Sequence, residues 1–597
     1  MFKRAFYLSF ILLLQVLSLT AQQALTPEIT ANDLQTDISY LASDELKGRY
    51  TGSEGGIAAS NYIRDQFQKA GLTLLGDNGF QNFEVVVSVS AGDNNLLRIN
   101  GGQPVAKDQY TPFPFTQNSE LNAGVVFVGY GFDINQDSLK WQDYEGVDVT
   151  GKWVLVLRGD PEMDKQESRF EEFGDDRDKV IEARDHGAAG VILVSGVSFD
   201  KDDDLVRMIY DKTQSNTGIP VIQVKRAVAD QILAGNNLTV EGIEKSIKSG
   251  MKPASMPLKA TVDANAEVVH QKVNARNVIG LLEGSDPALK DSYIVIGGHY
   301  DHLGMGGPGS GSRFMDSLAI HNGADDNASG TAGVMEMAAK LASMKGSIGR
   351  SIIFVAFDGE ELGILGSGYF VDHPPVKLTS IMAMVNFDMI GRLKDDSPAI
   401  MIGGMGTAKE SAGILDSLDR FGIQLNYSPE GFGPSDHASF YAENIPVYFF
   451  TTGAHEDYHT PDDDWQKINY NGEVKVLDIA LELVLNLANR PTPLTFQEAG
   501  PKEQSSGRAG YRFKVTLGIM PDFTTTVESG LPVGGVKKDG PAYKGGMLKG
   551  DVIVAMDGKP VNDIYDYMNR LKKLQKGQTI SVDVMRNGQI VVLIIQL

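Results

Sequence analysis

The 597-residue chain carries 54 Lys and Arg against 77 Asp and Glu, a formal net charge of −23. That acidity excludes nucleic acid and anionic membrane surfaces as partners, because both need a basic footprint. With no cysteine, disulfides, thiolate zinc sites and thiol nucleophiles are excluded as well, and at roughly 150 residues per domain the length implies three or four domains.

Residues 1–21 place Lys3 and Arg4 before an apolar run that ends at Ala21, the order of a cleaved secretory signal. The run falls short of the roughly 20 apolar residues of a membrane span. Export to the periplasm or the extracellular space, with no stable membrane insertion after cleavage, is the expectation. Two helices follow, separated by a glycine-punctuated turn, and Ile57, Ala58, Tyr62, Ile63 and Phe67 give the second an apolar face. From about 120 to 265 the short apolar strands GVVFVGYGF, WVLVLRGD, AAGVILVSG and IPVIQV, with a helical segment near Lys179–His186, predict a compact α/β insert. Inside it, residues 160–179 hold nine acids and four bases, which predicts a solvated loop or lid.

From about 273 strands and helices alternate, as in a largely parallel sheet. NVIGLLEG, YIVIGGHYD, SIIFVAFDGEE, IMAMVNFDMIG, AIMIGG and PVYFFTTG read as strands, and SGTAGVMEMAAKLASMK and EVKVLDIALELVLNLANR as helices. A Gly-rich linker from Gly500 leads to a last unit of short strands and turns.

Three of these strands stay apolar along their length and then end in His299, Asp301, Glu360, Glu361 and Asp388. Carboxyl ends of parallel strands face one crevice, so these residues should converge. Seven of the nine histidines fall between 299 and 459, which strengthens that expectation. The loops NGADDNASG, with Asp325 and Asp326, and EDYHTPDD, with Tyr458, His459, Asp462 and Asp463, add to the set. So many carboxylates in one crevice call for compensating divalent cations, and the histidines favour zinc. Either Asp325 or Asp326 could serve as a ligand on this reading. The glycines at 304, 306 and 309 spell G-x-G-x-x-G, but Pro308 interrupts them and no helix follows, so dinucleotide binding is rejected.

Taken in order, GGHYDHLG, GADDNASG, FDGEELGILGS, NFDMIG and YHTPDD resemble the secreted di-zinc aminopeptidases of peptidase family M28. The resemblance covers roughly 25–119 and 266–495. It implies an α/β fold with a zinc-exopeptidase-like mixed, largely parallel sheet sandwiched by helices, and two Zn²⁺ per chain. It also implies that His299 and Asp388 hold one zinc, Glu361 and His459 the other, and that Asp326 bridges them. Glu360 matches the general base, Tyr458 a tyrosine that hydrogen-bonds the tetrahedral intermediate, and Asp301 a carboxylate that orients His299. His302, His321, His437 and His455 are read as lying outside the ligand set. Asp436 and His437 match a loop near the substrate pocket.

Residues 120–265 resemble a protease-associated (PA) domain, and 505–597 a PDZ domain whose Leu517–Ile519 backbone would capture the carboxylate of a peptide C-terminus. The expected organisation is a signal peptide (1–21), a discontinuous catalytic domain (22–119 and 266–498), the PA insert and the PDZ domain. The implied activity is removal of amino-terminal residues from peptides. The alternatives on the same fold are a carboxypeptidase, which would use Arg313 or Arg392 for the terminal carboxylate, and a glutaminyl cyclase. A non-catalytic peptide-binding protein is disfavoured, because the expected ligands and the base are all present.

Overall fold

Thr30 and Ser53 open the first two helices, Ala31–Leu41 and Glu54–Lys69, by accepting from the backbone N–H groups of Asp33 (3.2 Å) and Gly56 (3.1 Å). These bonds satisfy donors that a helix start leaves open. The computed structural model in which they are seen describes residues 28–136, 138–165, 167–212, 215–315, 317–418, 420–500, 514–521, 527, 529–537 and 540–597; the signal-like residues 1–21 lie outside them. The second helix buries Ala59, Ile63 and Phe67, whereas Ile57 is 44% exposed. Its buried stripe is turned from the expected one because Gly55 sits hard against the preceding turn: a Cβ there would stand 1.8 Å from the carbonyl oxygen of Leu46.

The largest sheet has nine strands. Its centre is four parallel neighbours, in the order Ser351–Phe357, Tyr293–His299, Ile381–Phe387 and Val447–Thr451. Every residue of Ser351–Phe357 and of Ile381–Phe387 is buried, as expected for strands covered on both faces. Alternation along Tyr293–His299 sends Ile294 and Ile296 into one core and Val295 into the other. The first core lies under Ala31–Leu41, Glu54–Lys69, Gly330–Ser343 and Tyr470–Asn489; the second lies under Leu365–Asp372 and His437–Ala442. His299 pairs with Phe357 at the carboxyl ends of their strands, so the polar residues that follow each strand emerge at one edge.

On one side of the centre, Val268–Leu282 runs antiparallel to Ser351–Phe357 and also pairs with Phe80–Ala91, from Phe80 opposite Val278 to Ala91 opposite Val268. The insert leaves and re-enters at that last pair. Its seven-stranded sheet takes in Leu96–Ile99, Tyr110–Pro112 and Met256–Ala266 besides the predicted strands. It therefore starts well before residue 120, because these short edge strands pair with partners distant in sequence. The helix expected near 179–186 spans Asp176–Asp185. The acidic stretch 160–179 is solvated only in part: Asp164, Glu167, Glu171, Glu172 and Asp175 are exposed, whereas Asp160, Glu162, Arg177 and Lys179 are buried. Burial lowers the Lys179 ammonium to about 8, and it donates to the carbonyls of Leu157 (2.8 Å) and Gly159 (2.5 Å).

The last unit has a six-stranded sheet around the helix Ile564–Lys572. Asp557 and Gly558, both at positive φ (46° and 72°), turn Val552–Met556 back onto Lys559–Pro560, the geometry that an Asp-Gly hairpin requires.

Candidate metal centre

His299, at a strand end, is buried with its Nε2 3.4 Å from Asp326 Oδ1 and 3.6 Å from Asp388 Oδ1. On the other side of Asp326, His459 Nε2 lies 3.2 Å from Asp326 Oδ2 and 3.4 Å from Glu361 Oε2. The two oxygens of Asp326 thus face two separate histidines. Asp325 turns the other way: its Oδ1 accepts from the Gly391 N–H (2.7 Å) and the Ser329 hydroxyl (3.0 Å), and its Oδ2 lies 3.2 Å from His455 Nε2. Of the two aspartates, Asp326 is the one between the pair.

Ligand atoms of His299, Asp326 and Asp388 lie within 4.8 Å of one another, and so do those of His302, Asp326 and Glu361. His302, which sequence reading set aside, is buried with its Nδ1 2.8 Å from Glu361 Oε1. The signal that could have found it is the H-x-x-H spacing of His299 and His302, both in the loop side of one strand end. These two clusters, sharing one carboxylate and built from imidazole nitrogens and carboxylate oxygens, fit two zinc ions. Glu360 belongs to neither cluster; its Oε2 stands 4.0 Å from His299 Nε2.

The electrostatics follow from burial. Desolvation pushes Glu360 well above the usual carboxylate range, with Glu361, Asp436 and Asp388 adding to it while His299 opposes. Burial also raises Asp388. Glu361 moves the other way, well below its usual range: burial opposes this, but hydrogen bonds from His302 and His459 prevail. Burial disfavours the charged form of His459, yet Asp326 and Glu361 lift it to about 10. The site concentrates affinity for positive charge. Tyr458 stacks on His459 (centroids 3.9 Å apart), and burial, together with the surrounding acids, holds its phenol protonated.

The supports are local. Asp301 does not hold His299 by its carboxylate, which stands 3.7 Å from Nδ1; its backbone carbonyl takes that contact at 3.1 Å. The carboxylate instead accepts from the backbone N–H groups of Glu360 (3.1 Å) and Glu361 (3.2 Å) and from the Thr51 hydroxyl (3.2 Å). A loop turning back over its own strand end lets side chain and carbonyl swap the expected duties. Asp463 Oδ2 accepts from the N–H groups of Asp325 (2.9 Å) and Asp326 (3.1 Å).

Arg49, unnoticed in sequence, is wholly buried and donates to the carbonyls of Leu41, Tyr300, Asn322 and Gly323, tying the amino-terminal turn to both metal-site loops. Arg392 is engaged by Asp457 (2.8 Å) and Asp463 (3.3 Å), and Arg313 donates to the Glu456 carbonyl (2.8 Å). His437 is buried against Phe449 (centroids 4.3 Å), and burial lowers it to about 3, so it is neutral packing. Beside Glu361 and Leu362 opens a cavity of about 480 Å³, lined by Tyr50, Leu303 and Leu362 and by Ile209, Tyr210 and Lys212 of the insert.

Two histidine–carboxylate clusters sharing one aspartate at the carboxyl ends of parallel strands define a two-metal hydrolase. The family model for peptidase family M28 matches residues 277–484, that for the PA domain 121–232 and that for the PDZ domain 510–597. Aminopeptidase YwaD of Bacillus subtilis (strain 168) is 26% identical over 391 residues, 64% of this chain and 68% of that protein. Leucine aminopeptidase 2 of Trichophyton equinum is 29% identical over 229 residues, 36% of this chain and 42% of its own length, so the chain spans well under half of that relative. The solved aminopeptidase from Aneurinibacillus sp. strain AM-1 is 22% identical, with 80% of this chain and 98% of that one covered at a TM-score of 0.46. The chain carries a peptidase family M28 domain with a PA insert and a C-terminal PDZ domain, and it is a zinc-dependent metallopeptidase.

Proposed function

We propose that this protein is an exported di-zinc aminopeptidase that hydrolyses the first peptide bond of substrates with a free amino terminus. The observation that carries the reading is the pair of clusters sharing Asp326, with Glu360 beside them and outside both. His299 and Asp388 would hold one zinc, Glu361 and His459 the other, and Asp326 both; His302 is a further donor on the Glu361 side. When bound, the zinc pair supplies Lewis acidity to the scissile carbonyl and lowers the pKa of the attacking water. Glu360 Oε2 takes the water's proton and returns it to the leaving amine, so the base is regenerated. Tyr458 donates its phenolic proton as a hydrogen bond to the developing oxyanion. The surrounding carboxylates attract the substrate ammonium.

An aminopeptidase is favoured over a carboxypeptidase because Arg392 and Arg313 are both committed to loop contacts. The PDZ domain would take the C-terminus of a peptide, and the residues 1–21 would direct export. Free and amino-blocked peptides, assayed with and without chelator, test the reading. Chelator-sensitive release of amino-terminal residues from the free set alone is expected. Cleavage of blocked peptides from the carboxyl end, or ammonia release from amino-terminal glutamine without hydrolysis, would replace it.

A further inference from the structure

The PDZ domain is docked, and its docking face leads to the metal centre. The helix Ile564–Lys572 lies against the PA helix Asp176–Asp185 through paired charges. Arg570 reaches both oxygens of Asp185 (2.6 and 3.0 Å), Lys573 pairs with Glu182 (2.6 Å), and Arg184 of the PA helix answers with Asp566 (2.8 Å). At one end of this face the Arg177 guanidinium stacks on the Tyr565 ring, 3.7 Å from its centroid. Arg177 (2.7 Å) and the Tyr565 hydroxyl (3.0 Å) both donate to Asp211 Oδ2.

Asp211 lies on the PA segment that walls the cavity beside the metal centre. Its neighbour Lys212 donates from Nζ to the backbone carbonyl of Glu361. Nearby, Ile209 fits against Gly309 so closely that a Cβ there would stand 2.6 Å from Ile209 Cγ2, at a φ (+82°) that already favours glycine. Glu361 is therefore held from two sides. Asp301 anchors the N–H groups of Glu360 and Glu361 within the catalytic domain; Lys212 anchors the Glu361 carbonyl from the insert.

From this chain of contacts we infer that Lys212 is a positioning residue for the Glu360–Glu361 turn, and that the PDZ domain sets its position through Tyr565 and Asp211. The PDZ domain is then a working part of the peptidase, whatever peptide its groove takes. This rests on the function proposed above only in giving Glu360 and Glu361 their roles. The physical reason is preorganisation. A charge-assisted hydrogen bond to a backbone carbonyl holds a turn in which one glutamate must face metal and the next the attacking water, and small displacements there cost rate.

The test uses the full chain. In metal-free protein, amide hydrogen exchange over residues 358–366 should quicken about tenfold in Lys212→Met and about threefold in Tyr565→Phe, the scale expected for losing a charged and a neutral hydrogen bond. Lys212→Arg should restore slow exchange. In zinc-loaded protein the same variants should lower kcat by similar factors with KM changed less than twofold, and Lys212→Arg should recover most of kcat. Unchanged exchange over 358–366 in both Lys212→Met and Tyr565→Phe would overturn the inference, as would a loss in Lys212→Met that appears in KM alone. Should the wild type release no amino-terminal residue, the functional reading fails, while the exchange measurement still decides the relay.

Discussion

Two acidic clusters in this molecule have opposite fates. On the PA helix, Asp178, Glu182 and Asp185 each meet a base from the PDZ domain, namely Lys572, Lys573 and Arg570. At the strand ends, Asp326, Glu360, Glu361 and Asp388 meet only histidines; among the described residues no Lys or Arg forms an ion pair with any of them. Carboxylates that the fold neutralises itself are structural, whereas carboxylates faced by imidazoles await a cation. A third group has neither: Asp37, Glu336 and Glu473 are buried where the amino-terminal helix meets Gly330–Ser343 and Tyr470–Asn489, and burial raises all three. Burial favours the protonated form of each.

The sharpest way to break the comparison is at the strand ends. Glu360→Gln should lower kcat by about 10³-fold, within the range for a general base, with two zinc ions still bound by elemental analysis. Full activity in that variant would remove Glu360 from the chemistry. Asp326→Asn should reduce zinc content at both positions, since each cluster uses that side chain. His302→Ala and His459→Ala, compared for zinc content, show which imidazole holds the second ion. Chelation of the wild type should lower the apparent Tm, as zinc at a thousand times its Kd stabilises by about 4 kcal/mol; an unmoved Tm would mean that folding does not depend on metal.

On the docked helix, Arg570→Glu should cost about 3 kcal/mol, because it puts a carboxylate at a buried position facing Asp185. Adding Asp185→Lys should recover part of that loss. Protection of the PDZ domain from proteolysis in the single variant equal to wild type would count against the docking.

The third group fixes the sign of a pH dependence. Glu336, raised to about 8, keeps its proton in the folded state while the unfolded chain loses it above about 4.5. Folding stability should therefore fall by about 1.4 kcal/mol per pH unit between those values. Glu336→Gln should flatten that part of the profile and stabilise the protein near pH 8. A parallel slope in the variant would show that Glu336 ionises freely in place.

Much of the catalytic unit was legible because its signals are local. Apolar runs ending in His299, Glu360, Glu361 and Asp388 state both the strand and the face where its end emerges. Asp326 could be told from Asp325 only by resemblance, since two adjacent aspartates differ in where a turn points them. His302 and Arg49 escaped because a lone polar residue in a loop looks the same whether it meets water or a buried partner. The acidic run 160–179 reads as solvated for a related reason: one of its acids, Asp178, meets Lys572, nearly 400 residues away. The Asp301 carboxylate is assigned to His299 by the resemblance, and the folded loop gives it to two backbone amides instead.

The ladder between Phe80–Ala91 and Val268–Leu282 closes at Ala91 and Val268. The two points where the insert departs and returns are thus already adjacent rungs, about 5 Å apart. A tight two-residue reverse turn could join them without disturbing a single rung below. The catalytic sheet is in this sense a hairpin whose loop has been expanded into a whole folded unit, which makes that unit a natural point for shuffling or transplantation between enzymes.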